Sequence, residues 1–210
     1  MTLGERPKVH RQMKKRPPRG RIFVVSAPSG CGKTTLCRRL LADGLDLADS
    51  VSMTTRPPRP GEKEGADYLF VTERRFRRMI SEGGFLEHEK NFGNYYGTPR
   101  AFVEKNLGRG RPVLLSIDVK GAMKVRRAFP AESVLIFLVP PSIRALKERL
   151  VSRRADAADV IKRRLALAKR ELSYKKRYDY SIVNDDLDKA YRELKSVVIE
   201  NMNTAALPEK

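Results

Sequence analysis

No stretch of this 210-residue chain stays apolar for the ~20 residues a membrane-spanning helix requires, and no apolar run follows the basic N-terminal residues as it would in a secretory leader. No membrane association is therefore expected. Cysteine is almost absent: Cys31 and Cys37 are the only two, with neither metal-ligating nor redox spacing. That excludes a disulfide scaffold, and a reducing, cytoplasmic setting is expected. Histidine is equally scarce, and nothing pairs His10 or His88 with a nucleophile, so both read as surface residues. Aromatic rings are missing from the first twenty positions, where Arg6, Lys8, Arg11, Lys14, Lys15, Arg16 and Arg19 crowd together. Without a base-stacking platform, residues 1–20 read as a flexible, solvated basic arm. Nucleic-acid contact through that charge alone stays open and is not required.

Acidic residues are in deficit. Asp and Glu number 25 against 44 Lys and Arg, for a formal charge of +19 and a pI near 10.3. Such an excess suits nucleic acid or an enzyme that handles polyanionic nucleotides. What the chain does contain favours the second.

The apolar run Ile22-Phe-Val-Val25 leads directly into Ser26-Ala-Pro-Ser-Gly-Cys-Gly-Lys-Thr-Thr35. This reads as a strand, a phosphate-cradling loop and a helix from Thr34 to Leu41. The pattern G-x-x-x-x-G-K-[ST] is met by Gly32, Lys33 and Thr34, with Ala27 in place of the first glycine. Across Ala27, Pro28, Ser29, Gly30, Cys31, Gly32, Lys33, Thr34 and Thr35, backbone N–H groups and a helix N-terminus would face the phosphates of a nucleoside triphosphate. Lys33 would reach the β- and γ-phosphates, and the Thr34 hydroxyl would hold Mg²⁺.

Three further apolar runs, Val113–Ile117, Val134–Val139 and Tyr180–Val183, are each followed by a helical pattern. That alternation predicts an α/β fold with a doubly wound parallel sheet. Ser142 is the expected N-cap of a helix through Val151, and Asp156 of a basic helix to about Lys175; a last helix spans Leu187–Glu200. Residues 54–98 break the rhythm. Three prolines keep Thr54-Thr-Arg-Pro-Pro-Arg-Pro-Gly61 out of a helix. Short strand-like pieces follow at Tyr68–Val71, Phe85–Glu87 and Tyr95–Tyr96, with a helix at Thr72–Ser81. This reads as a small β-rich insert for a second substrate.

In that insert Arg56 and Arg59 share a Pro-stiffened loop able to present two guanidinium forks to a phosphate. Tyr68 and Tyr96 add hydroxyl donors. Glu87 is an acid in a strongly basic segment. A carboxylate there would accept from guanine N1–H and N2–H, a donor pair that adenine lacks. Each residue also has a plainer reading: surface arginines, core tyrosines, a strand-edge charge at Glu87, a helix cap at Asp118.

Taken together, from Arg21 to the last helix, the chain resembles the guanylate kinase family of P-loop nucleoside monophosphate kinases, in its bacterial form. The matching segments are Ser26–Thr35, Ser52–Glu62, Gly65-Ala-Asp-Tyr68, Phe85-Leu-Glu87, Gly93–Thr98, Ile117-Asp118, Pro140-Pro-Ser142 and Ile182–Asp186. The resemblance implies a core of residues 21–53 and 99–205, a GMP-binding insert at 54–98 and a helical lid near 149–165. It implies Mg²⁺-dependent transfer from ATP to GMP and dGMP in purine nucleotide recycling, by a monomer or homodimer. Arg56, Arg59, Tyr68 and Tyr96 would hold the GMP phosphate, and Ser52, Glu87 and Thr98 would read guanine beside Asp118. Arg149, Arg153 and Arg164 would be lid and catalytic arginines with Lys33, and Asn184 would lie near the adenosine. Ser116, Lys120 and Arg154-Ala155 depart from the family pattern, as Ala27 does. A catalytically dead module of the same fold, a nucleic-acid binder and a kinase of another phosphorylated acceptor are the competing readings.

Overall fold

A computed structural model describes residues 19–91, 93–152 and 158–204. Its main layer is a five-stranded sheet built from β1 (Ile22–Ser26), β2 (Ala48–Asp49), β7 (Val113–Ser116), β8 (Ser133–Val139) and β9 (Tyr180–Val183), in the order β2-β7-β1-β8-β9. Every pairing is parallel. The expected doubly wound α/β sheet is therefore present, with β2 as an edge strand too short to announce itself in the sequence.

Strand alternation sorts β1 between two cores. Phe23 and Val25 face a cluster with Leu36, Leu40, Ile136, Leu146, Leu194 and Val198. Ile22 and Val24 face Val103, Leu107, Leu115, Val125 and Leu135 on the other side. A strand buried on both faces needs its continuous apolar run, because each side chain loses water whichever way it points. The first core is closed by α1 (Lys33–Ala42), α5 (Ile143–Ser152), α6 (Ala158–Leu172) and α7 (Leu187–Thr204), the second by α3 (Arg100–Gly108) and α4 (Val119–Ala128). Helix α3 was not foreseen, since it follows a strand of the smaller sheet. Ser142 caps α5 as expected, its hydroxyl accepting from Ala145 N at 3.0 Å. The expected cap Asp156 lies outside the described residues. Helix α6 stops at Leu172, short of Lys175, and a 3₁₀ turn runs from Ser173 to Arg177; the Ser173 hydroxyl donates to Arg170 O at 2.7 Å.

The second layer is a four-stranded sheet in the order β4-β3-β6-β5, from β3 (Met53–Thr54), β4 (Leu69–Phe70), β5 (Phe85–Asn91) and β6 (Asn94–Pro99). Helix α2 (Glu73–Ser81) covers it, capped by Thr72. Its core is small: Met53, Phe76 and Phe85, with Tyr95 and aliphatic neighbours half-buried around them. Strand β5 runs four residues beyond the expected Phe85–Glu87. A register irregularity between Phe85 and Glu87 sets Glu87 directly opposite Thr98. Arg19 and Gly20, expected in the arm, are docked: Gly20 N donates to Leu107 O and Arg19 pairs with Glu132 at 3.0 Å. Among the described residues no helix is long and apolar enough to cross a membrane.

Candidate active site

The loops that leave β1, β7 and β9 all emerge at the carboxyl edge of the parallel sheet, where open α/β sheets bind their ligands. The first is the glycine-rich loop. Gly30 and Gly32 adopt φ of 94° and 82°, and Gly32 hands the chain to α1 without a side-chain cap. The first-turn N–H groups of α1 are thus left to face a ligand. Ala27–Thr35 line a cavity of about 390 Å³ with Arg59, Asn91, Asp118, Lys120, Arg170 and Glu171.

Lys33 stands at the head of α1 and donates to Ile117 O at 3.2 Å. Burial pulls its pKa down, while the acidic groups around it, Asp118 and Glu171 among them, pull it back up. Thr34 is exposed and lines the same cavity.

A second cavity of about 220 Å³ is lined by Ser52, Tyr68, Glu87, Glu89, Tyr96, Ser116 and Ile117 together with Lys33. Lys33, Asn91 and Asp118 line both cavities, so the two adjoin at the lysine. Glu87 is 6% exposed, which removes its reading as a solubility charge. The buried Thr98 hydroxyl donates to Glu87 Oε1 at 2.6 Å. Burial pushes the Glu87 carboxyl up to about 7, with the Thr98 bond opposing and Asp118 reinforcing the rise. Gly121 makes room for that carboxylate, since a Cβ there would lie 2.7 Å from Oε2.

Asp118 accepts from three donors at once. Its Oδ1 accepts from Lys120 N and Gly121 N at 3.0 and 2.8 Å and caps α4, while Oδ2 accepts from Asn91 at 2.8 Å. The helix-cap reading is therefore correct, and the residue still lines both cavities.

The two loop arginines part company. Arg59 opens into the phosphate-loop cavity. Arg56 is turned to Glu62, its Nη2 donating to both carboxylate oxygens at 2.8 and 2.9 Å, and its guanidinium lies 5.4 Å from the Tyr68 ring centre. Tyr68 and Tyr96 meet edge to face at 6.0 Å. On the outer side of the loop, Arg149 and Asn184 line a shallow groove with Gly30, Gly32 and Thr35. Arg164 sits half-buried on α6 and lines neither cavity, and Arg153 lies outside the described residues.

Sequence reasoning missed Glu62, Asn91, Arg170 and Glu171. Arg170 and Glu171 were legible in principle: Leu167, Arg170, Glu171 and Tyr174 fall at i, i+3, i+4 and i+7, one face of α6 and the turn after it. Burial pushes the Glu171 carboxyl up to about 7, Asp118 adds to the rise, and Lys33 opposes it.

A phosphate loop at the carboxyl edge of a parallel sheet, joined through one lysine to a second cavity with a buried acid, defines a P-loop enzyme of phosphoryl transfer. The guanylate kinase family model matches residues 19–201. Guanylate kinase of Legionella pneumophila (strain Lens) is 49% identical over 182 residues, 87% of this chain and 87% of its own. That of Coxiella burnetii is 47% identical over 177 residues, 84% of this chain and 85% of its own. The crystal structure of guanylate kinase from Anaplasma phagocytophilum matches with a TM-score of 0.76 at 38% identity, covering 90% of each chain. This chain belongs to the guanylate kinase family.

Proposed function

We propose that the chain transfers the γ-phosphoryl group of ATP to GMP, and to dGMP, giving ADP and the nucleoside diphosphate. The observation that carries this reading is the meeting of the two cavities at Lys33. A triphosphate in the first would end where a monophosphate in the second begins.

The acceptor is already an anionic phosphate near neutral pH, so its oxygen attacks the γ-phosphorus without a general base. The bond from phosphorus to the β–γ bridging oxygen breaks, and ADP leaves. Catalysis is then positioning and charge neutralisation. Lys33 and the phosphate-loop N–H groups hold the triphosphate, with Arg149, Arg153 and Arg164 assigned to the charge that spreads over the transferring group. Arg59, Tyr68 and Tyr96 are assigned to the GMP phosphate, together with Arg56 once its fork turns from Glu62. Ser52, Glu87 and Thr98 are assigned to guanine beside Asp118. Residues 54–98 form the acceptor insert in this reading, and 149–165 the lid.

The donor set suits Mg²⁺. Thr34 offers a hard hydroxyl oxygen, Asp118 and Glu171 line the same cavity, and no cluster of three His, Cys, Asp or Glu among the described residues forms an all-protein cage. A cation held largely by phosphates and water fits such a site. When bound, Mg²⁺ would neutralise charge on the β- and γ-phosphates. Both cysteines are buried and unpaired, which supports a reducing, cytoplasmic location.

A coupled assay with ATP and a panel of nucleoside monophosphates tests the reading. GMP and dGMP should be the efficient acceptors, with AMP, CMP and UMP far behind. Preferred transfer to another monophosphate, or ATP hydrolysis with no transfer, would refute it.

A further inference from the structure

Asn184 ends the parallel sheet and is 4% exposed, directly behind the phosphate loop. Its side-chain amide is committed to the protein. Nδ2 donates to Cys31 O at 2.7 Å, a buried bond between positions 153 residues apart. A backbone carbonyl can only accept, so the amide must present its nitrogen there. The rest of the residue is fixed as well. Asn184 N donates to Val139 O at 2.8 Å, and its carbonyl accepts from Arg149 Nη2 at 3.0 Å.

The loop is shaped to receive this amide. A Cβ on Gly32 would lie 2.5 Å from Asn184 Nδ2, so Gly32 is required by close approach from behind as well as by its φ. Gly30 is crowded from the same side: a Cβ there would lie 3.1 Å from Leu150 Cδ2 and 3.2 Å from Leu146 Cδ1. The direction of the bond matters most. None of the described peptide bonds is cis, and in a planar trans peptide C=O and N–H point opposite ways. Holding the Cys31 carbonyl on the side of Asn184, which does not line the cavity, therefore turns the Gly32 N–H the opposite way, toward the cavity that Gly32 lines. Without that hold, the flexible glycine beside it would let the peptide rotate and turn an oxygen toward the phosphates.

We propose that Asn184 is a positioning residue for the phosphate loop: it orients the Cys31–Gly32 peptide and so acts on the triphosphate through the loop rather than on the adenosine. The proposal rests on the loop being the triphosphate site but needs no contact to a base. Its test is calorimetric binding of ATP and of inorganic tripolyphosphate to the parent protein, Asn184→Leu (same shape, no donor) and Asn184→Ala. Both variants should weaken both ligands by the same factor, about tenfold. In turnover, KM for ATP should rise while KM for GMP stays within twofold. Weaker ATP with unchanged tripolyphosphate would overturn the proposal in favour of an adenosine contact, and no loss for either ligand would overturn it outright. Should both variants fail to fold, the parent protein still decides. NMR should find the Asn184 side-chain amide protons slow to exchange and coupled through the hydrogen bond to the Cys31 carbonyl carbon; fast, uncoupled protons would overturn the assignment. A parent protein that binds tripolyphosphate but not ATP would remove the nucleotide reading and leave this assignment standing.

Discussion

The two sheets of this molecule are built to different standards. The parallel sheet is buried on both faces, with Phe23, Leu114, Ile136 and Leu138 wholly shielded in one core and Leu115 and Leu135 in the other. Among the described residues the smaller sheet's own apolar cluster buries just Met53, Phe76 and Phe85, held by a 4.3 Å stack of Phe76 on Phe85. The join between them is mostly polar: Asn91 to Asp118, Arg38 to Asp67, and Lys124 to the His88 carbonyl, with Leu86 as the apolar anchor. A large core holds a phosphate loop to fixed geometry, whereas a small one tied by polar contacts can shift as a unit. In the function proposed above, the rigid layer is assigned to the triphosphate and the softer layer to acceptor selection and closure. Closure matters because water competes with the acceptor for the same phosphoryl group.

Lys33→Ala should give the largest effect, because it strikes the junction of the two cavities. A loss of at least ~100-fold in kcat is expected, with the fold intact by circular dichroism. Near-normal turnover would remove the lysine from the chemistry.

Phe76→Ala attacks the smaller sheet alone. A buried phenylalanine removed from a packed stack costs about 3–5 kcal/mol, and the damage should stay local. KM for GMP should rise at least tenfold while KM for ATP changes little, and amide exchange should accelerate in β5 and β6 but not in β1 or β8. An equal rise in both KM values would mean that the layers are one mechanical unit.

A pH profile sharpens the same contrast. Burial raises the Glu87 carboxyl to about 7, and its proposed role toward the guanine donors needs the ionised form. The proton must therefore leave on binding, and kcat/KM for GMP should fall by up to tenfold per unit below pH 7. In Glu87→Gln that step is lost while the ionisations of the GMP phosphate and of Glu171 remain, so the profile should flatten. Equal slopes in the two proteins would exclude Glu87 as the titrating group. The smallest effect belongs to the arm. A chain beginning at Arg19 keeps the Glu132 pair and the Gly20 bond, so Tm and activity on GMP should match the full chain. A marked loss of either would make residues 1–18 part of the working structure.

The parallel sheet was the easier part to read in the sequence. Its strands are unbroken apolar runs, and the loop after β1 carries its chemistry in consecutive residues. The smaller sheet was harder because its strands are short and half-buried, so β5 showed only its first three residues and the helix after β6 left no clear period. Glu87 was visible as an acid out of place in a basic segment, Arg59 through its proline-stiffened loop, and Tyr68 as a hydroxyl donor in the same insert. The spacing of Arg170 and Glu171 put them on one face of α6, but a charged face on a basic helix looks like solvent until the fold sets it against the phosphate loop. Glu62 was hidden differently. Only the turned-back loop shows that it occupies the Arg56 fork.

The separation of phosphate holding from base selection is tested most directly by Glu87→Gln, assayed with GMP, AMP and ATP. The change keeps shape but puts an amide donor before guanine's donors, in a site where an unmatched polar group is costly. The account predicts that kcat/KM for GMP falls by about two to three orders of magnitude, that AMP stays a poor acceptor, and that ATP affinity hardly moves. Wild-type efficiency with intact discrimination against AMP would contradict it, and would place guanine recognition elsewhere in the molecule.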